Sequence, residues 1–143
     1  MLPAADAAAA GVTGPVIALV ALTNEPAANR LDTNGPTWVR TDGVVLWKQA
    51  SDILTETPLA AISLLANGAP VAGGTISGLV WAGAESPSAF GEANRTCQNW
   101  TNGVFAGLST SATSGDTSLV GPRYFSSRTI PCGFDLPVYC FEQ

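Results

Sequence analysis

The chain is 143 residues long, enough for one domain, residues 1–143, that buries roughly two-thirds of its unfolded surface. Only 12% of the residues are charged, the formal net charge is −5, and the six cations are one Lys and five Arg. That balance argues against nucleic acid, heparin-like polyanions and anionic membrane surfaces, all of which need clustered positive charge.

In chain order, Ala4 to Ala10 reads as an alanine-rich helical start, broken at Gly11 and closed by Gly14-Pro15. Val16 to Leu22 is the longest apolar run, at seven residues, far short of the ~20 of a membrane-spanning helix, so no membrane insertion is expected. It reads as a strand buried on both faces. Glu25 to Leu31 is expected to form one helical turn, Asn34-Gly35-Pro36 a turn and Thr37 to Arg40 a short strand. Thr41-Asp42-Gly43 has hairpin chemistry and returns through Val44 to Trp47. Ser51 to Leu54 reads as helical until Pro58 approaches. Leu59 to Leu65 is apolar and meets a second turn at Asn67-Gly68, and Pro70 to Gly78 is loose.

The organising stretch is Leu79 to Trp100. An apolar strand, Leu79 to Trp81, breaks at the small residues Ala82 to Ala84, passes through a polar loop and ends at Cys97 and Trp100. Thr101 to Gly121 is rich in Ser, Thr and Gly and reads as irregular. Arg123 to Phe125 and Val138 to Phe141 are the last expected strands. The residues read as an α+β class with mostly short antiparallel strands, without a repeat or a second domain. The N-terminus has neither a basic region nor a hydrophobic segment, so no signal peptide is expected in this chain.

An ordered set of motifs carries a family likeness. Ala5-Asp6 is followed by GVTGPVIALVAL (residues 11–22), VWAG (80–83), TCQNW (96–100) and VYCFEQ (138–143). Together they resemble the endostatin-like branch of the C-type-lectin-like fold, and most of all its bacterial secreted and lipoprotein domains. The resemblance spans nearly the whole chain. It implies a two-helix, two-sheet domain with long irregular loops, tied by two disulfides. One would be Cys97–Cys132; the other would join a cysteine in the first helix to Cys140. Around Ala8 to Ala10, where the helical cysteine belongs, this chain has only alanine.

Three cysteines leave one unpaired. A Cys132–Cys140 bridge would demand a tight loop around Pro137. A Cys97–Cys132 bridge would close a long Gly/Ser-rich segment, which the chain-entropy account values at roughly 4 kcal/mol. Cys140 is then the unpaired thiol, read as a small buried hydrophobe, as an intermolecular bridge, or as a residue whose upstream partner is missing. Disulfide usage of this kind fits a secreted or cell-surface protein.

The chain contains no histidine, which removes Ser-His-Asp and Cys-His catalysis and the commonest zinc ligand. The resemblance would imply zinc and heparin binding through histidines and clustered arginines, and this chain has neither set. Calcium-dependent sugar binding in lectins of this fold uses a Glu-Pro-Asn or Gln-Pro-Asp triplet in the long loop. Here that region offers Glu85-Ser86-Pro87, with Glu85, Glu92 and Asp116 as loop acids read as solvated rather than convergent. No cofactor is expected. Glu85 and Glu92 are the acids a paired-carboxylate hydrolase would use, and the less favoured enzyme reading rests on them. Trp38 and Trp47 flank the first hairpin and read either as core or as rings for stacking on a sugar or a protein. Asn94-Arg95-Thr96 and Asn99-Trp100-Thr101 match the glycosylation triplet.

The expectation is therefore a non-enzymatic extracellular recognition module for a protein or glycan, engaged through the loop region between Ala82 and Pro131. Glu85, Glu92, Trp38 and Trp47 are its candidate ligand contacts. A structural role in a surface fibre or lipoprotein, without a ligand of its own, is the alternative. On this reading the segment Thr110–Thr117 varies freely, and a Gly/Ser linker there lowers stability only modestly.

Overall fold

Leu79, Val80 and Trp81 are buried at 2%, 2% and 8% exposure, so the strand read from their apolar run lies inside the molecule. The computed structural model describes residues 7–71, 76, 78–103 and 110–143. It is a small α+β structure with two antiparallel sheets and short helical turns. Among the described residues no helix is long and apolar enough to cross a membrane.

The first sheet pairs β1 (Val16–Ala18) with β5 (Cys140–Glu142), Val16 facing Glu142 and Ala18 facing Cys140. The second has three strands, β2 (Leu79–Trp81), β3 (Ser111–Asp116) and β4 (Arg128–Pro131), with β3 in the middle. The run Val16 to Leu22 joins the two sheets rather than forming one doubly buried strand. Only its first three residues sit in a ladder, half-buried. Beyond them the Leu19 amide donates to Tyr139 O (2.8 Å) and the Ala21 amide to Ala82 O (2.7 Å). A parallel bridge between Trp81 and Val138 closes the seam from the other side.

β3 corrects the expectation of an irregular segment after Trp100. Its sequence, SATSGD, has no large apolar residue, yet Ala112 to Gly115 are buried. Small side chains let this strand lie against another backbone. A Cβ at Gly115 would stand 1.9 Å from the carbonyl oxygen of Tyr124, a separation no side chain tolerates. Arg123 to Phe125, expected as a strand, instead belongs to a 3₁₀ turn over Pro122–Tyr124, with proline at its first position. The turn brings the Tyr124 backbone under Gly115, and the chain then returns as β4.

The main core gathers between residues 19 and 65 and the C-terminal aromatics. Trp38 meets Phe141 edge-on at 5.2 Å, and Trp47 lies 6.0 Å from Tyr124. Little regular structure surrounds them. The expected turn at Glu25 to Leu31 is a 3₁₀ turn, Ala27–Arg30, and the one at Ser51 to Leu54 is part of Ala50–Leu54. The expected hairpin forms as a single bridge, Val39 with Val45, and the turn expected at Asn67-Gly68 is closed by another, Leu64 with Pro70. At their tips Gly43 and Gly68 hold φ of +85° and +80°, which glycine adopts without strain. Burial pushes the Tyr124 phenol well above its ordinary range. Tyr139 is pushed up by burial first, with Tyr124 and Asp116 adding to it; its hydroxyl donates to Tyr124 O at 3.0 Å.

Residues 7–9 are helical, as the alanine-rich start suggested; the part of that expectation on residues 4–6 lies outside the described residues. So do 72–75 and 77 of the segment expected to be loose, and 104–109 of the one expected to be irregular.

Candidate functional site

Cys97 and Cys132 form a disulfide, with Cα atoms 5.6 Å apart, linking the start of the TCQNW stretch to the end of β4. Cys140 is an exposed thiol in β5, on its solvent side. Of its three readings, that of a small buried hydrophobe fails, because β5 alternates exposed, buried, exposed, and Phe141 takes the inward position.

The stretch after Thr96 has a backbone conformation that composition does not announce. Cys97, Gln98, Asn99 and Trp100 have φ of 49°, 56°, 55° and 64°, a left-handed helical turn without a single glycine. Each such residue costs about 1–2 kcal/mol, so surrounding bonds must hold the turn. The Trp100 amide donates to Thr96 O (2.8 Å), and the fully buried Thr96 accepts the Asn99 amide on Oγ1 (3.3 Å). The Asn99 carboxamide clamps Thr23 at two points. Its Oδ1 accepts the Thr23 amide (2.8 Å) and its Nδ2 donates to Thr23 Oγ1 (2.9 Å). The Trp100 indole N–H donates to Ala21 O at 2.9 Å. Behind the ring, Gly83 sits at φ +86°, where a Cβ would come within 2.7 Å of Trp100 Cζ2. The small-residue break after the central strand is thus the space that admits Trp100.

These constraints place Trp100 beside Trp81, ring centroids 5.9 Å apart, and both line an open groove of about 380 Å³. Val20, the Cys97–Cys132 disulfide, Phe134, Leu136 and Val138 line the rest, with Asn102 and Asp135 as polar lining side chains. A smaller hollow of about 230 Å³ shares Cys97 and is bordered by Asn94, Gln98 and Thr110.

The residues singled out from sequence fall elsewhere. Trp38 and Trp47 are core, 7% and 1% exposed. Their indole N–H groups donate to Ala50 O (3.1 Å) and Glu56 O (3.2 Å), so neither ring is offered to a ligand. Of the two readings given for them they take the core one, because the hairpin folds its tryptophan side inward and leaves Val39 and Val45 outside. Glu85 and Glu92 are exposed, and neither lines the groove. Glu92 is tied to Arg95 at 3.2 Å, three residues on. Asp116 Oδ1 takes the amide and hydroxyl of Ser118. Among the described residues no three acids or cysteines gather as metal ligands do.

Sequence reading looked for a site between Ala82 and Pro131, and the groove draws only part of its lining from there. Phe134, Asp135, Leu136 and Val138 come from the segment after Cys132, whose alternation of apolar residues with Asp and Pro was the available signal. No protein-family model matches the chain, and no curated protein matches it in sequence.

Proposed function

We propose that the protein is a non-enzymatic extracellular recognition module of the C-type-lectin-like kind, binding a protein or glycan ligand without calcium in the groove between Trp81, Trp100 and Phe134. The groove carries the reading. Aromatic rings line it, and a disulfide and a clamped left-handed turn keep it rigid, so little ordering is needed on binding. Pairing of the first strand with the last, beside a three-stranded sheet closed by Cys97–Cys132, supports the fold assignment. The disulfide supports a secreted or cell-surface setting. Hydrolysis by paired carboxylates has little support, because Asp135 is the one carboxylate among the described lining residues.

The test is a glycan-array and extracellular-protein screen with and without calcium, repeated with Phe134→Ala. Binding that persists in a chelator and is lost in the variant supports the groove; a ligand indifferent to Phe134→Ala removes it. A structural assembly role is the second reading. It is favoured by Val39 and Val45, opposite one another on the hairpin and 54% and 41% exposed. A concentration-dependent oligomer in sedimentation that Val39→Lys disperses would favour it.

A further inference from the structure

We propose that the groove is built for a basic side chain of a peptide or protein partner, arginine above all, seated against the exposed part of Trp100 with its charge toward Asp135. This rests on the recognition reading and narrows it.

Charge carries the argument. All six cations of the chain lie among the described residues, and none of them lines the groove. Three are already paired within the molecule: Arg30 with Glu25 (3.6 Å), Arg40 with Asp42 (2.7 Å) and Arg95 with Glu92 (3.2 Å). With a net charge of −5 the remaining field is negative, and Asp135, exposed at the groove, is its local expression. An anionic ligand would meet a carboxylate there and no counter-charge.

A neutral sugar fits less well. Without calcium, its hydroxyls must each find a protein donor or acceptor, or be buried unpaired at about 1–3 kcal/mol apiece. The Trp100 indole N–H is already committed to Ala21 O, and the lining between Asn102 and Asp135 is aromatic, aliphatic or disulfide. A guanidinium suits that surface. It is planar and weakly hydrated, stacks on an indole, and meets a carboxylate with two parallel bonds. Its methylene stem covers apolar wall of the kind Val20, Leu136 and Val138 present.

The tryptophans supply the readout. The chain has four, of which Trp81 and Trp100 line the groove while Trp38 and Trp47 are buried elsewhere and act as internal controls. The probes are end-blocked Gly-Gly-Arg-Gly-Gly, the same peptide with neutral citrulline in place of arginine, and methyl α-glucoside. Each is titrated into ¹⁵N-labelled protein while the four indole signals are followed. The arginine peptide should shift Trp81 and Trp100 saturably and leave Trp38 and Trp47 in place. The citrulline peptide should bind about tenfold more weakly. Asp135→Asn, a change at an exposed position, should weaken the arginine peptide about as much and leave the citrulline peptide unchanged. Equal binding of the two peptides, or an arginine peptide indifferent to Asp135→Asn, overturns the proposal. If methyl α-glucoside alone shifts the groove signals, the cationic ligand is wrong and the recognition groove stands. If no probe shifts them and the ligand found by the screen leaves them unmoved, both readings fall.

Discussion

Residues 27–65 and the β2–β3–β4 sheet solve the same problem by opposite means. The first region buries Trp38, Trp47, Leu46 and Ile53 with almost no ladder, and the indole N–H groups of its two tryptophans bond to backbone carbonyls of Ala50 and Glu56. At the centre of the sheet β3 buries Ala112, Thr113, Ser114 and Gly115, side chains too small to drive burial by area alone, and relies on backbone pairing and close approach. One region is held by large side chains and tolerates irregular backbone; the other is held by backbone and tolerates no added side chain. Changes of loop length should therefore be accepted in the first, and added side chains refused in the second.

The sharpest break would be made in the sheet. Replacing residues 110–117 with a Gly/Ser linker should unfold the protein outright, contrary to the sequence expectation, because it removes the central strand. Gly115→Ala alone should cost about 3 kcal/mol or more in chemical denaturation, since the Tyr124 backbone must move. By contrast, two extra glycines at the Asn67-Gly68 tip should cost well under about 1 kcal/mol. A folded linker variant would erase the distinction.

In the loop region the load is on side chains. Trp47→Ala should lose about 3–5 kcal/mol. Trp47→Phe should lose less, about 1–3 kcal/mol, chiefly because Glu56 O loses its donor. Equal losses in the two variants would show that ring volume does not matter there.

The two tyrosines of the chain, Tyr124 and Tyr139, join these regions and are both buried. Their phenols are held above the unfolded value of about 10, so the native state keeps protons that the unfolded chain releases. Stability from this source is complete below about pH 10 and falls as pH rises beyond it. Phenolate absorbance should accordingly appear in one step with unfolding, and separate ionisation in a folded protein would contradict the burial.

The smallest effect lies at the first hairpin tip. The hydrogen bond from the Arg40 guanidinium holds the Asp42 carboxyl down at about 2. The contact is present above the ordinary carboxylate value and fades as pH falls toward 2. Carbon NMR of Asp42 should show that midpoint, and Arg40→Gln should return it toward the usual range.

What could be read in advance follows the same division. Leu79 to Trp81 was legible because three large apolar residues are bounded by small ones, and the first hairpin and the later turn because Asp42-Gly43 and Asn67-Gly68 mark them. β3 was not, since its burial comes from the Tyr124 backbone brought under Gly115 by a turn elsewhere in the chain. The left-handed turn at Cys97 to Trp100 has no glycine to mark it, and it is held from outside by Thr23 and Ala21. As a result the groove itself was not readable: of its lining, the sequence marked only the Cys97–Cys132 pairing that the family resemblance implied.

The pairing of Val16 with Glu142 has a mechanical meaning. β1 begins where β5 ends, so a pull on the chain beyond each strand loads their bonds one after another, like a zipper, instead of all at once in shear. The domain should yield at low force from this edge. Extension then meets the Cys97–Cys132 link, which shields a span of 35 residues from tension, about 120 Å of contour at full extension. A stretched molecule would pause short of full extension by that length, its disulfide loop untensioned, until a reductant released the remainder.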